Sequence, residues 1–173
     1  MPWIFWTKIP TPADVAGIFR KREKTMGNRA VITFAPEGVP AVGVYLHWNG
    51  GAESVRAFLD TCRARGYRCP VSDPAYAMAG LVGVIREFFG PGALSLGVDL
   101  VGRLDCDNWD NGVYQVGEGW AVVGRWGKGS ESLAATVAPL HGQALAKYQG
   151  IMAQLTESLA ATVAHQSRAG AAA

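Results

Sequence analysis

Several features that mark particular classes of protein are scarce or missing in this sequence. Lysine and arginine number 16 against 14 aspartates and glutamates in 173 residues. A net charge so close to neutral does not by itself indicate a nucleic-acid partner, and it argues against an acidic mimic of DNA. No apolar run approaches the roughly 20 residues of a membrane-spanning helix, and the N-terminus lacks the design of a signal peptide. We therefore expect no membrane span.

Cysteine is also scarce. Cys62, Cys69 and Cys106 are odd in number and match no spacing that is typical of metal ligands. We therefore expect no bound metal and no cofactor. A reduced, cytoplasmic setting is the simplest interpretation, although a disulfide between Cys62 and Cys69 stays open as an alternative.

Apolar residues are plentiful, at 49% of the chain against 17% charged residues, so a packed core is expected. Their pattern predicts strands over 30–34 and 42–48, helices over about 52–65 and 74–89, and strands over 93–100, 113–116 and 120–123. The last two strands flank a Gly-Glu-Gly turn and form the clearest hairpin. This ββααβββ order predicts an α+β core domain over residues 28–127, with an antiparallel sheet and helices on one face.

Residues 1–27 are predicted to form an N-terminal arm. Residues 3–6 read Trp-Ile-Phe-Trp, and a helix-capable stretch over 13–24 ends in several basic residues. One interpretation is an anchor for a membrane surface or a partner. The other is an arm that packs on the domain or on a second copy, and we favour it because four residues make a short anchor.

Residues 130–173 are rich in alanine and are predicted to form a C-terminal helical extension. Apolar residues recur at intervals of three or four, with a break near Pro139 and Gly142, and Leu159 and Val163 continue the stripe. The spacing predicts a long amphipathic helix, or a helical hairpin, that ends in a loose tail. The stripe either closes the core or forms a homo-oligomer contact. We favour the second, because the core already has two helices for its sheet.

An acidic segment before the predicted hairpin is the most unusual stretch of the chain. It runs from Asp105 to Gly112, and its candidate interface residues are Asp105, Asp107, Asn108, Trp109 and Asp110. Asx side chains bind local amides, so turn architecture explains most of these residue types. A site for a polar ligand or a partner is the second interpretation. Calcium is the third, but the spacing is not that of an EF-hand.

A glycine-rich turn, Trp48-Asn49-Gly50-Gly51, leads from the second strand into the first helix. A helix N-terminus presents free N–H groups that suit a phosphate or a carboxylate. Glu53 in the first turn competes for that position, and Asn49 is expected simply to cap the helix. We favour the capping interpretation, because every helix N-terminus has this property.

The first helix and the loop after it carry a cluster of arginines at positions Arg56, Arg63, Arg65 and Arg68. Phosphate or nucleic-acid contact is one interpretation. A solvated helix face is the commoner outcome, since charges on an amphipathic helix must face water.

Evidence for nucleophilic catalysis is weak. His47 lies beside a tryptophan at a strand end, and Cys106 occupies a position that suits packing. A thiol triad of His47, Cys106 and Asp105 is conceivable on chemical grounds alone. Because no compact catalytic motif is present, we predict that the protein is not an enzyme.

Two blocks of sequence carry a resemblance. The first is Met26-Gly27-Asn28-Arg29-Ala30-Val31-Ile32-Thr33-Phe34 through Tyr45-Leu46-His47-Trp48-Asn49-Gly50-Gly51, and the second is residues 104–114 around the acidic segment. Together they resemble, over roughly residues 26–126, a family of small uncharacterised proteins encoded by bacteriophages, prophages and related mobile elements. The resemblance implies an accessory function that includes counter-defence, such as inhibition of the anti-CRISPR kind. In that family the first block usually begins the chain, which makes Met26 a second candidate start.

Together these observations predict a cytoplasmic protein of the host cell that binds and modulates a host protein complex. The predicted interface joins the turn, Trp48 to Gly51, to the acidic segment, with exposed tryptophan beside aspartate and asparagine. Two alternatives stay open. A small-ligand sponge or hydrolase would hold a nucleotide-like molecule between the turn and the acidic segment, and a nucleic-acid-binding protein would use the arginines.

Overall fold

The computed structural model describes residues 28–91 and 94–171. The strands are β1 (Ala30–Thr33), β2 (Val42–Leu46), β3 (Leu96–Leu100), β4 (Val113–Val116) and β5 (Val122–Trp126). The helices are α1 (Ala52–Ala64), α2 (Pro74–Phe89), α3 (Leu133–Val137) and α4 (Gly142–Ala171), and 3₁₀ turns cover Val101–Arg103 and Glu118–Trp120. The predicted α+β class and the long C-terminal helix are confirmed. The predicted arm, residues 1–27, and the end of the predicted tail lie outside the described residues.

The five strands form one sheet in the order β3-β2-β1-β4-β5. β2 pairs antiparallel with β1 and β3, and β4 pairs antiparallel with β5. In the central pair, however, β1 and β4 run parallel, with Val31 beside Val113. The prediction of an antiparallel sheet is therefore wrong, because the sheet is mixed. The succession along the chain is also less simple than ββααβββ, since two 3₁₀ turns interrupt the last three strands.

The parallel pair follows from the path of residues 101–112. This segment leaves β3 at one edge, crosses the sheet face opposite the helices and enters β4 beside β1. Gly43 makes room for it, since a Cβ there would lie 3.0 Å from Val101 Cγ2 and 3.2 Å from Leu104 Cδ1. A crossover between parallel strands usually contains a helix, whose apolar period would be visible in the sequence. This crossover has only a 3₁₀ turn, so its pattern did not indicate parallel strands.

The helices cover the other face of the sheet, and the core lies between the two layers. Its buried sheet residues are Ala30, Ile32, Val44, Leu46, Tyr114 and Val116. Helix α4 packs on α1 and α2, where Ile151 and Leu155 are buried. The stripe of α4 therefore closes the core over its first half. Beyond that, Leu159 and Val163 are 41% and 53% exposed, and self-association through them stays a prediction.

The predicted break near Pro139 and Gly142 separates α3 from α4. Ser132 caps α3, with its hydroxyl accepting from the Ala135 N–H at 3.1 Å, and Ala138 ends that helix. Gly142 then begins α4 with a φ of +54°, which glycine adopts without strain. Although α4 has 30 residues, no helix in residues 28–91 and 94–171 is long and apolar enough to cross a membrane.

Candidate interaction site

The first two described residues, Asn28 and Arg29, lie between the two motifs that stand out in the sequence. On one side, the Gly50 N–H donates to the Asn28 carbonyl at 2.7 Å. On the other, the Asn111 side-chain amide donates to the Asn28 side-chain oxygen at 2.6 Å. The start of β1 thus brings the turn and the acidic segment to one place. We call this place the junction: Asn28 and Arg29 together with residues 47–51 and 105–111.

Arg29 donates four hydrogen bonds to three residues of the acidic segment. Its backbone N–H and its Nε both donate to Asp110 Oδ2, at 3.1 and 2.7 Å. Its terminal nitrogens donate to the Asn108 carbonyl at 2.5 Å and to Asp105 Oδ2 at 3.4 Å. The bond to Asp110 raises the pKa of Arg29, against the opposing effect of burial. The Asp110 side chain is only 6% exposed, so it fixes the segment rather than presenting a charge to a partner.

Asn108 is the buried centre of the acidic segment. Its side-chain oxygen accepts from the N–H groups of Asp110, Asn111 and Gly112 at 3.0–3.1 Å. Its side-chain nitrogen donates to the carbonyls of Asp105 at 3.0 Å and Gly112 at 3.3 Å. This is the Asx-turn chemistry expected from the residue types. Asn108 therefore shapes the loop, and both polar atoms of its side chain are used within the loop.

Trp109 projects from the segment and is 60% exposed, with its backbone at a φ of +61°. Its N–H donates to the Lys128 carbonyl at 3.0 Å, and Lys128 Nζ lies 5.3 Å from the indole centroid. The Lys128 N–H in turn donates to Asp107 Oδ1 at 2.9 Å, which lowers the pKa of Asp107. Gly129 permits this approach, because a Cβ there would collide with the backbone of Trp109. The backbone beneath the exposed ring is therefore fixed from two sides.

The turn at residues 48–51 depends on one close backbone approach. A Cβ at Gly50 would lie 2.6 Å from the Asn28 carbonyl oxygen, so glycine is required there. Asn49 precedes it with a φ of +59°, a conformation that asparagine tolerates better than most residues. Gly51 rather than Asn49 is the N-cap residue of α1, so the expected capping role of Asn49 is wrong. Its left-handed backbone shapes the turn instead.

The N-terminus of α1 already faces a carboxylate of this chain. A Cβ at Gly51 would lie 2.7 Å from the Glu53 carboxylate oxygens, which shows how closely that group approaches the first turn. Glu53 also binds Lys147 Nζ of α4 at 2.9 Å. A phosphate at this terminus would have to displace Glu53. Gly50 and Gly51 are themselves buried.

Tyr45 and His47, which the predicted interface did not include, form an aromatic strip with Trp48 and extend the junction across the sheet face. The ring of His47 meets the ring of Trp48 edge to face at 5.1 Å, and the Tyr45 hydroxyl lies 3.4 Å from His47 Nδ1. Burial raises the pKa of Tyr45, while the positive charge of Arg29 opposes that rise. Tyr45 of β2 and His47 just after it are two residues apart, and this spacing was the signal in the sequence that they share one face.

The four arginines of the predicted phosphate cluster do not form one free basic patch. Each binds an acceptor of this chain: Arg56 the Ala138 carbonyl at 2.7 Å, Arg63 Asp60 at 2.5 Å, Arg65 Glu87 at 2.6 and 3.0 Å, and Arg68 Asp73 at 2.5 Å. Arg56 and Arg63 line a small groove of ≈ 240 Å³, but Asp60 lies in the same groove. A phosphate at any of these sites would compete with an existing partner.

The structure does not assemble the conceivable thiol triad. The Cys106 thiol donates to the Val101 carbonyl at 3.4 Å, and burial raises its pKa, so the nucleophilic thiolate is disfavoured. All three cysteines are free, and the alternative of a disulfide between Cys62 and Cys69 is not realised. Within residues 28–91 and 94–171, no group of three or more His, Cys, Asp or Glu side chains is placed to hold a metal ion.

The predicted interface residues fall into two groups by exposure. Trp48, Trp109, Asp105 and Asp107 are exposed, and Asn49 is half-buried. The buried members are Gly50, Gly51, Asn108 and the side chain of Asp110, which support the loops from within. Comparison of the chain with protein-family models, with curated proteins and with solved structures found no match.

Proposed function

We propose that this chain is a non-enzymatic accessory protein of a phage or mobile element that binds a host protein complex in the cytoplasm and modulates it. We include counter-defence of the anti-CRISPR kind as one form of this modulation. The observation that carries it is the pair of exposed tryptophans, Trp48 and Trp109, at 43% and 60% exposure. Both rise from loops that share Asn28 and Arg29 as their base.

Both loops are held in place before any partner binds, so neither has to be ordered on binding. Tryptophan is enriched in the hot spots of protein interfaces, where a few residues carry most of the binding energy. Ordering a flexible loop on binding costs free energy, and a loop that is already fixed avoids that cost. The Asn108 amide bonds fix one loop and the Gly50 contact with Asn28 fixes the other. Asp105, with its side chain 49% exposed, adds a polar rim.

Existing contacts within the chain disfavour the small-ligand and nucleic-acid alternatives. Glu53 faces the helix terminus that a nucleotide phosphate would use. The four arginines bind acceptors of this chain, so nucleic acid would have to break those bonds. No specific observation favours either alternative over a protein partner.

Affinity capture from host cells tests the proposal. The tagged chain is expressed there, and proteins retained after a high-salt wash are identified by mass spectrometry. We expect one defined complex, captured by the unchanged chain and lost from the double variant Trp48→Ala and Trp109→Ala.

Tyr76→Ala is the matched control, because Tyr76 is 64% exposed on α2 and lies outside the junction. It should capture the same complex as the unchanged chain. Circular dichroism of both variants should match the unchanged chain, which separates lost binding from lost folding. Full capture by the folded double variant would refute the proposal.

A further inference from the structure

An apolar groove opens at the opposite end of β1 from the junction. It has a volume of ≈ 670 Å³ and lies between the β1–β2 turn and the start of α2. Its lining residues are all apolar and include Phe34, Pro40, Val42, Pro70, Val71 and Pro74. Val42 and Val71 remain 43% and 64% exposed at its rim. Exposed apolar surface of this kind marks an interaction site.

The lining determines what kind of group fits. No side chain in the groove carries a charge or a hydrogen-bonding group, so a charged or strongly polar occupant would lose its hydration without compensation. Three of the lining residues are prolines, whose fixed backbone φ angles make this part of the lining rigid. The volume lies within the range of about 300–1,000 Å³ that is usual for sites that bury a compact ligand. A short apolar or aromatic segment therefore matches the groove.

We propose that residues 3–6 of this chain, Trp-Ile-Phe-Trp, bind in this groove. These residues lie outside the described part of the chain. They form a run without charge, and they hold two of the six tryptophans of the protein. Each large aromatic side chain buries about 150–250 Å² when it is covered, so the run is large enough to cover the apolar lining of the groove.

Covalent reach permits the contact. Asn28 is held at the start of β1, because the His47 carbonyl accepts from its N–H at 3.3 Å. The groove begins at Phe34, just past the end of β1, which is roughly 20 Å away at about 3.3 Å per residue. Residues 7–27 provide a tether of 21 residues between the run and Asn28. A chain of that length has an end-to-end distance of roughly 25 Å when unstructured and up to about 70 Å when extended.

The tether also favours this occupant over a separate partner. A segment joined to its binding site by a short linker acts at an effective concentration in the millimolar range. A free partner of the same affinity would displace the run only at a concentration above that effective concentration. The groove is thus reserved for the chain's own N-terminal segment, and this inference stands apart from the proposed function of the junction.

Fluorine NMR with a spin label tests the contact in the full chain. Tryptophans are replaced by 5-fluorotryptophan, and the Trp3 and Trp6 signals are assigned with Trp3→Phe and Trp6→Phe. A nitroxide is attached to Cys69, which adjoins the groove residue Pro70 and whose pKa is lowered by hydrogen bonds from the Ser72 and Val71 backbone. Cys106→Ser removes the other partly exposed thiol, and burial raises the pKa of Cys62 to about 12, which keeps it unreactive.

We expect the Trp3 and Trp6 signals to lose most of their intensity and to regain it after reduction of the nitroxide. Trp120 should broaden in every sample that holds the active nitroxide, because its Nε1 lies 3.4 Å from the Tyr67 carbonyl close to Cys69. Val71→Glu, which charges the groove at an exposed position, should restore Trp3 and Trp6. Val163→Glu, at a position that is 53% exposed on α4, should not.

Three results would overturn the inference. One is full intensity of Trp3 and Trp6 beside the active nitroxide, which leaves the groove to another partner. Another is broadening that persists in Val71→Glu, which places the run elsewhere. The third is broadening in a mixture of spin-labelled and separately fluorinated chains, which shows that a second copy fills the groove.

Discussion

Arg29 and Asp110 form a two-point contact across 81 positions of sequence, with the backbone N–H and the Nε of Arg29 donating to one carboxylate oxygen of Asp110. The contact joins the residue before β1 to the loop that leads into β4. These are the two strands that pair in parallel at the centre of the sheet. The same contact therefore supports both the unusual pairing and the loop that presents Trp109.

Replacing Arg29 by Met should destabilise the fold by about 2–3 kcal/mol, because it leaves the largely buried Asp110 carboxylate without its charged donor. Urea unfolding measures this change. Arg63→Met is the matched control: Arg63 is 60% exposed in its pair with Asp60, and exposed pairs contribute about 0–1 kcal/mol. Equal effects of the two substitutions would show that the Arg29 pair is no stronger than a surface pair.

The substitution Asn108→Asp tests how much the donating nitrogen of the buried Asn108 amide contributes to stability, apart from the accepting oxygen. The substitution keeps the oxygen that accepts three backbone N–H groups but replaces the nitrogen that donates to the Asp105 and Gly112 carbonyls. We expect a loss of about 1–3 kcal/mol in unfolding free energy, since carboxylate and carbonyl oxygens then face each other. Asp107→Asn, at an exposed position of the same loop, should change stability by less than about 1 kcal/mol. A neutral result for Asn108→Asp would contradict the hydrogen-bond assignment.

For the acidic segment, the sequence predicted the local turn structure better than the long-range contacts. Asx residues followed by glycine indicated the turn at Asn108, because that chemistry acts over a few residues. Asparagine and aspartate look alike in such a pattern, so burial of Asn108 and exposure of Asp105 did not follow from residue type. The link from Arg29 to Asp110 depends on the parallel pairing of β1 and β4. That pairing leaves no periodic signal, since the crossover at 101–112 contains no α-helix.

The sequence also predicted the C-terminal helix but not the surface that the helix contacts. The spacing of the apolar stripe predicted a long amphipathic helix correctly, because a period of three or four is a property of the helix itself. The partner of the stripe is set by the tertiary fold, and a periodic pattern does not say which surface covers it. Ile151 and Leu155 complete the core of the same chain, whereas the two helices already assigned to the sheet had favoured a second copy as the partner.

Acid should weaken the fold through Glu87. Hydrogen bonds from Arg65 hold the pKa of Glu87 below its ordinary value. A depressed folded-state pKa means that the ion pair stabilises the fold above the unfolded-state pKa of about 4.3. That contribution is lost as the pH falls through the lower, folded-state value. Between about pH 7 and pH 3, the unfolding free energy of Glu87→Gln should therefore fall less than that of the unchanged chain. Urea titrations at several pH values measure this difference.

Asp99→Asn provides the control for this pH dependence. Asp99 pairs with Arg103 at 3.7 Å, with both side chains well exposed, so the pair contributes little. Its pH profile should follow that of the unchanged chain. Identical profiles for Glu87→Gln and the unchanged chain would mean that the Arg65 pair does not set the acid sensitivity.

The far half of α4 leads to the last prediction, which concerns self-association. Leu159 and Val163 continue the stripe beyond the core at 41% and 53% exposure, one helical turn apart, and so lie on one face. Two large apolar side chains offer little surface, so we expect a weak, concentration-dependent dimer in sedimentation velocity runs. The double variant Leu159→Glu and Val163→Glu should stay monomeric at every concentration and unfold like the unchanged chain, because neither residue is buried in the core. If the unchanged chain sediments as a monomer throughout, the exposed end of α4 is not a dimer contact.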